Sequence, residues 1–223
     1  MTNLQKRIFT SIIALPLSLF FIFKGGYFLL LFLLSIFFVA NYELFSVFRK
    51  KTTILFLDLI LILSLYSIYY LSDLNEISFY ILLWIIILVV CSDVGGYVFG
   101  KIFKWKKLTK ISPNKTLSGV FGSFVFSLFS VFIANAILPK IAATFIPAAS
   151  LINFLEPKFF FLAIILSLVA QTGDLTISYF KRIEKIKDTG KVLPGHGGIL
   201  DRIDGMMFVA IVIFILIQIN IIP

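Results

Sequence analysis

The sequence of 223 residues contains a single cysteine, a single histidine and few charged side chains. Because Cys91 has no partner in the chain, an intramolecular disulfide is excluded. The same scarcity argues against zinc, whose structural sites draw about four ligands mainly from cysteine and histidine. Charged residues make up 14% and hydrophobic residues 60% of the chain, against ~45–50% apolar residues in soluble domains. An ordinary soluble fold is therefore excluded.

Polar linkers and internal repeats are absent as well. No low-complexity segment divides the chain, and no period of about 20–50 residues recurs. The 27 phenylalanines are more than a soluble surface can accommodate. We therefore expect one integral membrane domain over residues 1–223, with N-terminal spans in residues 1–76 and the polar motifs in residues 77–223.

Long apolar runs dominate the chain. A transmembrane helix needs about 20 apolar residues, and seven runs come close to that length or exceed it. A basic start before the first run is typical of a signal peptide, but no small-residue cleavage site follows, so we expect a retained first span. The sequence predicts an all-α polytopic membrane protein with about seven transmembrane helices, or eight if one further segment crosses. The runs cover residues 8–24, 27–47, 53–72, 77–99, 118–138, 159–180 and 203–222.

The connectors between the runs differ in charge. The connector at residues 73–76 is acidic, whereas basic connectors stay on the cytoplasmic side of membranes. This rule places the N-terminus inside, the C-terminus outside and the polar motifs at the cytoplasm. It also explains the net charge of +9, so we expect no nucleic-acid partner. Parity then requires that residues 142–154, an apolar piece broken by Pro147, form an interfacial or re-entrant segment. Basic residues cluster at positions 6–7, 49–51, 101–115 and 181–202.

The predicted topology places residues 156–158 outside and residues 181–202 inside. Single cysteines at Pro157 and Lys187, in a chain whose Cys91 is replaced by serine, should therefore differ in labelling by a membrane-impermeant maleimide. Intact cells should show label at position 157 alone, and permeabilised cells should show label at both positions. Protection of position 157 until permeabilisation would contradict the topology.

A first polar cluster begins inside the fourth apolar run. A carboxylate within a bilayer costs at least ~2.5 kcal/mol to insert, so we expect Asp93 to have a function. Asp93, Tyr97 and Gly100 share one helical face, and the glycine allows close approach by a neighbour or a ligand. The lysines that follow, from 101 to 110, are equally explained by contact with anionic lipid headgroups.

The sequence ISPNKT, residues 111–116, follows these lysines. Ser112 begins a turn, Lys115 and Thr116 offer an ammonium and a hydroxyl group, and the next helix begins with free N–H groups. This combination is typical of a phosphate site. A helix cap explains the same pattern, and the stretch alone does not choose between the two.

Three aspartates mark a second polar cluster near the C-terminus. Asp174, Ser178 and Lys181 share a helical face, and Asp174 lies inside the membrane boundary. Asp201 and Asp204 are three residues apart at the start of the last span and can point the same way. Carboxylates from two span ends suit a hard cation such as Mg²⁺. A structural ion pair at Asp174, or helix capping by one of the other two, would explain the same residues.

The connector before the last span combines basic side chains with glycine. Gly195, Gly197 and Gly198 allow backbone N–H groups to approach an anion closely. His196 has glycine on both sides and little to pack against, so we expect it to face a substrate. Basic side chains occur at positions 181, 182, 185 and 187.

The stretch SYFKRIEKIKDTGKVLPGHGGILDRID, residues 178–204, resembles the signature of the phosphatidate cytidylyltransferase family, also called CDP-diacylglycerol synthases. The shared pattern runs Ser, Lys-Arg, Lys-Asp, Pro-Gly-His-Gly-Gly, Asp-Arg and Asp. QTGDL and ISPNKT are similar to upstream elements of that family, in the same order. The resemblance covers residues 91–205 and makes residues 77–223 the expected catalytic part, whereas the first three spans match only in being apolar.

The resemblance implies transfer of CMP from CTP to phosphatidate, giving CDP-diacylglycerol and pyrophosphate. The implied location is a bacterial-type cytoplasmic (inner) membrane, with the site facing the cytoplasm. Mg²⁺ is the implied cofactor, with a second cation left open, and the implied partners are CTP, phosphatidate and membrane lipids; a homodimer leaves no trace in the sequence. The implied catalytic residues are Asp174, Lys181, His196 and Asp201. The implied metal ligands are Asp174, Asp201 and Asp204. The implied substrate-binding residues are Tyr97, Ser112, Lys115, Thr116, Ser178, Arg182, Lys187, Gly195, Gly197, Gly198 and Arg202.

Two positions depart from the pattern of the family. Ile177 stands where an acidic residue usually follows Gly-Asp-Leu-x, and Ser118 stands where Glu usually follows Ser-Pro-x-Lys-Thr-x. These changes leave the number of cations open. One alternative function is an ion-coupled transporter that uses Asp93 and Asp174, although the paired half-sequences of transporters are not visible. Another is a CDP-alcohol phosphotransferase, although its Asp-Gly-x-x-Ala-Arg motif is absent.

Overall fold

The computed structural model of the protein describes residues 3–109, 112, 114–145, 152–195 and 197–222. These residues form seven helices and no strand beyond two isolated bridges. The helices occupy the seven predicted apolar runs, so the prediction of an all-α polytopic membrane protein is confirmed. They are α1 (Asn3–Lys24), α2 (Gly26–Val47), α3 (Lys51–Asp73), α4 (Glu76–Phe103), α5 (Leu117–Phe145), α6 (Pro157–Ile183) and α7 (Leu200–Gln218).

Membrane crossing follows from helix length and hydropathy. In the part of the chain that the structure describes, α2 to α6 are each long and apolar enough to cross a membrane. The apolar part of α1, Ile12–Lys24, is shorter. Helix α7 carries three charged residues in its first five, and the apolar part from Gly205 onward is only about 20 Å long. The chain is therefore an integral membrane protein.

The segment between α5 and α6 differs from the prediction. Residues 142–145 continue α5 to Phe145, past Pro139, so they do not begin a separate interfacial segment. Proline is tolerated within membrane helices because neighbouring groups satisfy the freed carbonyl. Residues 146–151, which include Pro147, lie outside the described residues, and that part of the prediction lies there too. Asn153 forms the turn into α6, its carbonyl accepting from the N–H of Glu156 at 3.3 Å.

The most extensive packing in the bundle joins α4 to α5. A Cβ atom added to Gly95 would collide with the carbonyl oxygen of Gly122 and with Phe126, and one added to Gly122 would collide with the backbone of Gly95. Small residues let two membrane helices approach to backbone contact. Ser123 on α5 adds a hydrogen bond, donating its hydroxyl to the carbonyl oxygen of Ser92 at 2.8 Å.

Aromatic rings fill the core in the half of α4 that precedes Asp93. The ring of Trp84 lies 5.7 Å from that of Phe154 and 5.3 Å from that of Phe159. Its indole N–H donates to the hydroxyl of Ser130 at 3.3 Å, which satisfies the one polar group of the ring. A second core joins α2 and α3 to α6 and α7. Together these cores bring the polar ends of α4, α5, α6 and α7 to one end of the bundle.

Replacing Gly95 with leucine should destabilise the protein, because the new side chain meets the backbone of α5. We expect a loss of ~1–3 kcal/mol or a failure to fold, measured as a lower midpoint of thermal unfolding in detergent. Val90→Leu is the control, since Val90 is exposed on the same helix and its replacement should have little effect. A Gly95→Leu variant as stable as wild type would show that α4 and α5 do not pack as described.

Candidate active site

A polar cavity of about 300 Å³ opens where α4, α5 and α6 meet. Its walls come from separate parts of the sequence, namely α4, the connector before α5, the start of α5 and α6. It therefore collects side chains from both polar clusters. Predicted site residues in its lining are Tyr97, Ser112, Lys115, Thr116 and Asp174. The lining also contains Asp93, Gly96, Asn114, Gly119, Val120, Ser123 and Gln171.

The connector between α4 and α5 directs Lys115 into this cavity. Its two arms form an antiparallel bridge between Lys107 and Thr116. The N–H of Lys115 donates to the carbonyl oxygen of Ser112 at 3.0 Å, which closes a turn. Thr116 caps α5, because its Oγ1 accepts from the N–H of Gly119 at 3.1 Å. The helix-cap interpretation thus holds for Thr116, while Lys115 reaches into the cavity.

Lys115 forms an ion pair with Asp174 inside the cavity. Its Nζ lies 2.5 Å from Oδ2 of Asp174 and 3.5 Å from the carbonyl oxygen of Gln171. Ser178, one turn further along α6, donates its hydroxyl to Oδ1 of Asp174 at 3.2 Å. Both carboxylate oxygens of Asp174 therefore have a donor, and the α4–α5 connector is tied to α6.

Two further carboxylates lie near this ion pair. Asp93 on α4 and Asp204 on α7 are each close enough to Asp174 for the negative charges to repel one another. Gly173 lets α7 approach α6 closely. Any side chain at this position would collide with Phe208 and with the backbone of Asp204. Among the described residues, neither Asp93 nor Asp204 forms an ion pair. The site therefore favours an added positive charge.

The ability of these side chains to hold a metal ion depends on their chemistry and arrangement. Within the described ranges, no group of three or more His, Cys, Asp or Glu side chains is arranged to hold one. The donors are carboxylate oxygens, which Mg²⁺ prefers, and a divalent cation would relieve the repulsion among them. The residues therefore fit a hard cation by their chemistry, while Lys115 is the positive group that contacts Asp174 in this arrangement.

Asp201 has different partners from the other two predicted metal ligands. Its Oδ1 accepts from Nζ of Lys181 at 2.7 Å, and its Oδ2 accepts from the backbone N–H groups of Thr189 at 2.8 Å and Gly198 at 3.1 Å. Both charged side chains are buried, with 10% of Lys181 and 5% of Asp201 exposed. The pair joins α6, α7 and the connector between them, and a role for Asp201 as a cation ligand stays a prediction.

The connector between α6 and α7 folds back on itself. Leu193 and Gly197 exchange two backbone hydrogen bonds, of 3.0 and 3.2 Å, which enclose a tight turn. Gly195 and Gly197 have φ angles of 80° and 91°, in the left-handed region that glycine adopts without strain. These two glycines are therefore required by the turn itself.

The glycine N–H groups that were predicted to bind an anion are partly engaged within the protein. Gly197 donates to Leu193 and Gly198 donates to Asp201, so neither N–H is directed to an anion in this arrangement. Their contact with a phosphate stays a prediction. His196 lies outside the described residues, and so does its predicted contact with substrate.

Four other predicted substrate contacts lie at the same end of the bundle as the cavity. Arg182 is exposed and donates to a backbone carbonyl just after α6, at 2.9 Å. Lys187 is exposed on the α6–α7 connector. Arg202 lies close enough to Asp93 for their charges to attract. Tyr97 is exposed at the mouth of the cavity.

The structure accounts for both departures from the family pattern. Ile177 is 1% exposed and packs in the core formed with α2 and α3, so its side chain belongs to that core. Ser118 is buried, bonds to the hydroxyl of Thr116 at 2.9 Å and accepts from the N–H of Trp105 at 3.4 Å. Both positions therefore support the site through packing and loop structure.

Glu43, a buried carboxylate near the end of α2, is not among the residues predicted from the sequence. It accepts hydrogen bonds from the α6–α7 connector and from the start of α7. The available signal was an acidic residue within an apolar run, the same signal that pointed to Asp93. Nothing in the spacing of the motifs connects α2 with residues more than a hundred positions later.

Comparisons with known proteins agree with the resemblance of residues 91–205. The sequence model of the cytidylyltransferase family matches residues 52–220. A phosphatidate cytidylyltransferase from Rickettsia felis is 33% identical over 225 aligned residues, covering 95% of this chain and 91% of the relative. One from Helicobacter pylori is 38% identical over 130 residues, covering 58% of this chain and 44% of the relative.

A third relative, a phosphatidate cytidylyltransferase from Staphylococcus saprophyticus, is 38% identical over 141 residues, covering 63% of this chain and 50% of the relative. The matches to the H. pylori and S. saprophyticus proteins thus span about half of the length of those relatives. The match to the R. felis protein runs along nearly the whole of both chains.

The fold and the site define a class of protein, an integral membrane protein with a charged cavity at one end of a helical bundle. The family match covers most of that bundle, including α4, α5 and α6, which line the cavity, and α7 beside them. The chain therefore belongs to the cytidylyltransferase family.

The buried pair of Lys181 and Asp201 predicts an asymmetric effect of substitution. Lys181→Met should destabilise the protein by ~3–5 kcal/mol, because it leaves a buried charge without its partner. The double variant Lys181→Met with Asp201→Asn should recover part of the loss. Unfolding in detergent micelles measures both.

Lys158→Met is the matched control for Lys181→Met. It breaks an exposed pair with Glu156 and should change stability by at most ~1 kcal/mol. If Lys181→Met is no more damaging than Lys158→Met, the buried pair does not stabilise the fold.

Proposed function

We propose that the protein acts as a phosphatidate cytidylyltransferase, transferring CMP from CTP to phosphatidate. The products are CDP-diacylglycerol, a precursor of phospholipids, and pyrophosphate. The main support is the meeting of separate sequence motifs at one point. Lys115 of ISPNKT lies 2.5 Å from Asp174 of QTGDL, and Asp204 of the third motif is close enough to repel Asp174. The names of the relatives agree with this activity.

The chemistry of the reaction fits what these residues supply. A phosphate oxygen of phosphatidate forms a bond to the α-phosphorus of CTP, and the bond from that phosphorus to the β-phosphate oxygen breaks. The attacking phosphate is already ionised, so no strong base is needed. The task is to bring two polyanions together in the right orientation and to stabilise charge on the leaving pyrophosphate.

Basic side chains at different depths would hold the two substrates. Lys115 lies inside the cavity and is placed to contact a phosphate group there. Arg182 in the last turn of α6 and Lys187 beyond its end are exposed, where they would contact CTP arriving from water. Arg202 lies near Asp93 and adds positive charge at the start of α7. The uncharged contacts in this proposal are Tyr97, Ser112, Thr116, Ser178, Gly195, His196, Gly197 and Gly198.

We propose Mg²⁺ as the cofactor, with Asp174 and Asp204 as its ligands and Asp93 beside them. The support is the mutual repulsion of these carboxylates and the preference of Mg²⁺ for oxygen ligands. Asp201 is a further proposed ligand, and it would have to exchange its contact with Lys181. A bound cation would neutralise phosphate charge and favour departure of pyrophosphate.

We also propose that the cavity faces the cytoplasm from the inner membrane. Two connectors at the same end of the bundle as the cavity, residues 104–116 and 184–199, carry many of the basic residues of the chain, and basic connectors are retained in the cytoplasm. A cavity at this boundary suits both substrates, because phosphatidate presents its headgroup at the membrane surface and CTP is dissolved in water.

Two labelled forms of CTP test the reaction. Purified protein incubated with phosphatidate, Mg²⁺ and CTP labelled at the α-phosphate should yield label in the lipid extract. CTP labelled at the γ-phosphate should yield label in pyrophosphate only, because the β- and γ-phosphates leave together. Absence of α-label from the lipid, with folded protein, would overturn the proposed function, and γ-label in the lipid would indicate a kinase.

Asp174→Asn tests the role of the cavity in the same assay. The variant should lose at least about 100-fold in rate, the size expected for loss of a charge-stabilising group. Asp73→Asn is the control, since Asp73 is exposed at the other end of the bundle, and its rate should equal wild type. A wild-type rate for Asp174→Asn would remove Asp174 from the site. An unchanged rate after chelation of Mg²⁺ would overturn the cofactor proposal alone.

A further inference from the structure

The buried carboxylate of Glu43 lies where the first helices meet the α6–α7 connector. Glu43 is 1% exposed, near the C-terminal end of α2. A buried carboxylate is costly unless hydrogen bonds or charges compensate it. Its position also lies before residues 52–220, the part matched by the family model. The hydrogen bonds that compensate this buried carboxylate therefore indicate what Glu43 does in this chain.

The carboxylate of Glu43 accepts hydrogen bonds from both ends of the connector. Oε1 accepts from the N–H of Ile199 at 2.9 Å. Oε2 accepts from the N–H of Leu200 at 3.1 Å and from the hydroxyl of Thr189 at 3.2 Å. The two N–H groups belong to the start of α7, where a carboxylate is favoured by free N–H groups and the helix dipole. Glu43 thus joins the beginning and the end of segment 189–200.

Two glycines leave the space that Glu43 occupies. A Cβ atom at Gly190 would lie 2.6 Å from Oε1 of Glu43, and one at Gly198 would also collide with the carboxylate. Real Cβ contacts do not come this close, so neither position accepts a side chain while Glu43 is in place. Gly198 therefore has a packing role besides its hydrogen bond to Asp201.

Glu43 and Asp201 bind the same two sides of the connector. Asp201 accepts from the N–H groups of Thr189 and Gly198. The hydroxyl of Thr189 also bonds to Glu43, and Gly198 directly precedes Ile199, whose N–H bonds to Glu43. Helix α1 adds a further contact, since the hydroxyl of Thr10 donates to the carbonyl oxygen of Pro194 at 2.9 Å. The connector is thus held by the N-terminal helices as well as by α7.

We infer that Glu43 is a positioning residue that holds the α6–α7 connector in the shape that binds CTP. The inference rests on the proposed function, because it assigns the connector to CTP. Lys187 and Lys191 on this connector are exposed, so the connector offers positive charge to the phosphates of CTP. Helices α1 and α2, which lie before the residues matched by the family model, thereby contribute to the site.

Glu43→Gln is the sharpest test, because glutamine keeps the shape but replaces one acceptor with a donor. One N–H or hydroxyl donor of the connector then faces an NH₂ group. We expect the KM for CTP to rise about ten-fold, the size of one lost charged hydrogen bond, while the KM for phosphatidate is unchanged. Thr189→Val removes one of the three hydrogen bonds and should shift the KM for CTP in the same direction by less.

Glu156→Gln is the matched control. Glu156 also stands at the start of a helix, α6, but it is exposed and pairs only with Lys158 in the described residues. It lies at the opposite end of the bundle from the cavity, and its replacement should leave both KM values at wild type. A folded Glu43→Gln variant with an unchanged KM for CTP would overturn the inference, even if its thermal stability falls.

Tryptic cleavage after Lys187 or Lys191 gives a readout that needs no activity. Cleavage should be faster in Glu43→Gln than in wild type or Glu156→Gln, because the substitution weakens the attachment of the connector to α2. Equal cleavage rates would overturn the inference. If wild type forms no CDP-diacylglycerol, the proposed function fails, and the cleavage rates still decide whether Glu43 holds the connector.

Discussion

A carboxylate within a membrane-spanning helix needs a positive charge or hydrogen-bond donors beside it. Much of this structure follows from how Asp174, within α6, obtains them. Lys115 supplies the charge from the α4–α5 connector, so neutralising Asp174 also fixes that connector against α6. Lys181 and Asp201 repeat the arrangement between α6 and α7. The same ion pairs that make the charges tolerable therefore assemble motifs that are far apart in the sequence.

Close helix packing brings the charged groups within reach of one another. Gly95 and Gly122 let α4 and α5 meet at their backbones, and Gly173 lets α7 approach α6. Carboxylates on three helices then lie near enough to repel one another, so a positive charge at the cavity is stabilised. Glu43 applies the same principle at the α6–α7 connector, where backbone N–H groups of α7 and a hydroxyl take the place of a lysine.

Several local features were predictable from particular residues. The seven helices follow from apolar runs, because a backbone in lipid must satisfy its own hydrogen bonds. The contact between Asp174 and Ser178 follows from their spacing of one helical turn. The spacing of Asp201 and Asp204 predicted a shared direction, but Lys181 and two connector N–H groups hold Asp201, while Asp204 is near Asp174. The segment at 142–145 was assigned to the interface, although α5 continues through it.

The sequence by itself determined the membrane class, the approximate helix bounds and the family, because hydrophobic length and motif spacing are local properties of the chain. Only the tertiary structure decided which charges meet. The partnership of Lys115 with Asp174, the burial of Ile177 against α2 and α3 and the reach of Glu43 to Ile199 all join distant segments. These contacts depend on helix packing and on competition among donors for each carboxylate, and neither is visible in residue spacing along one chain.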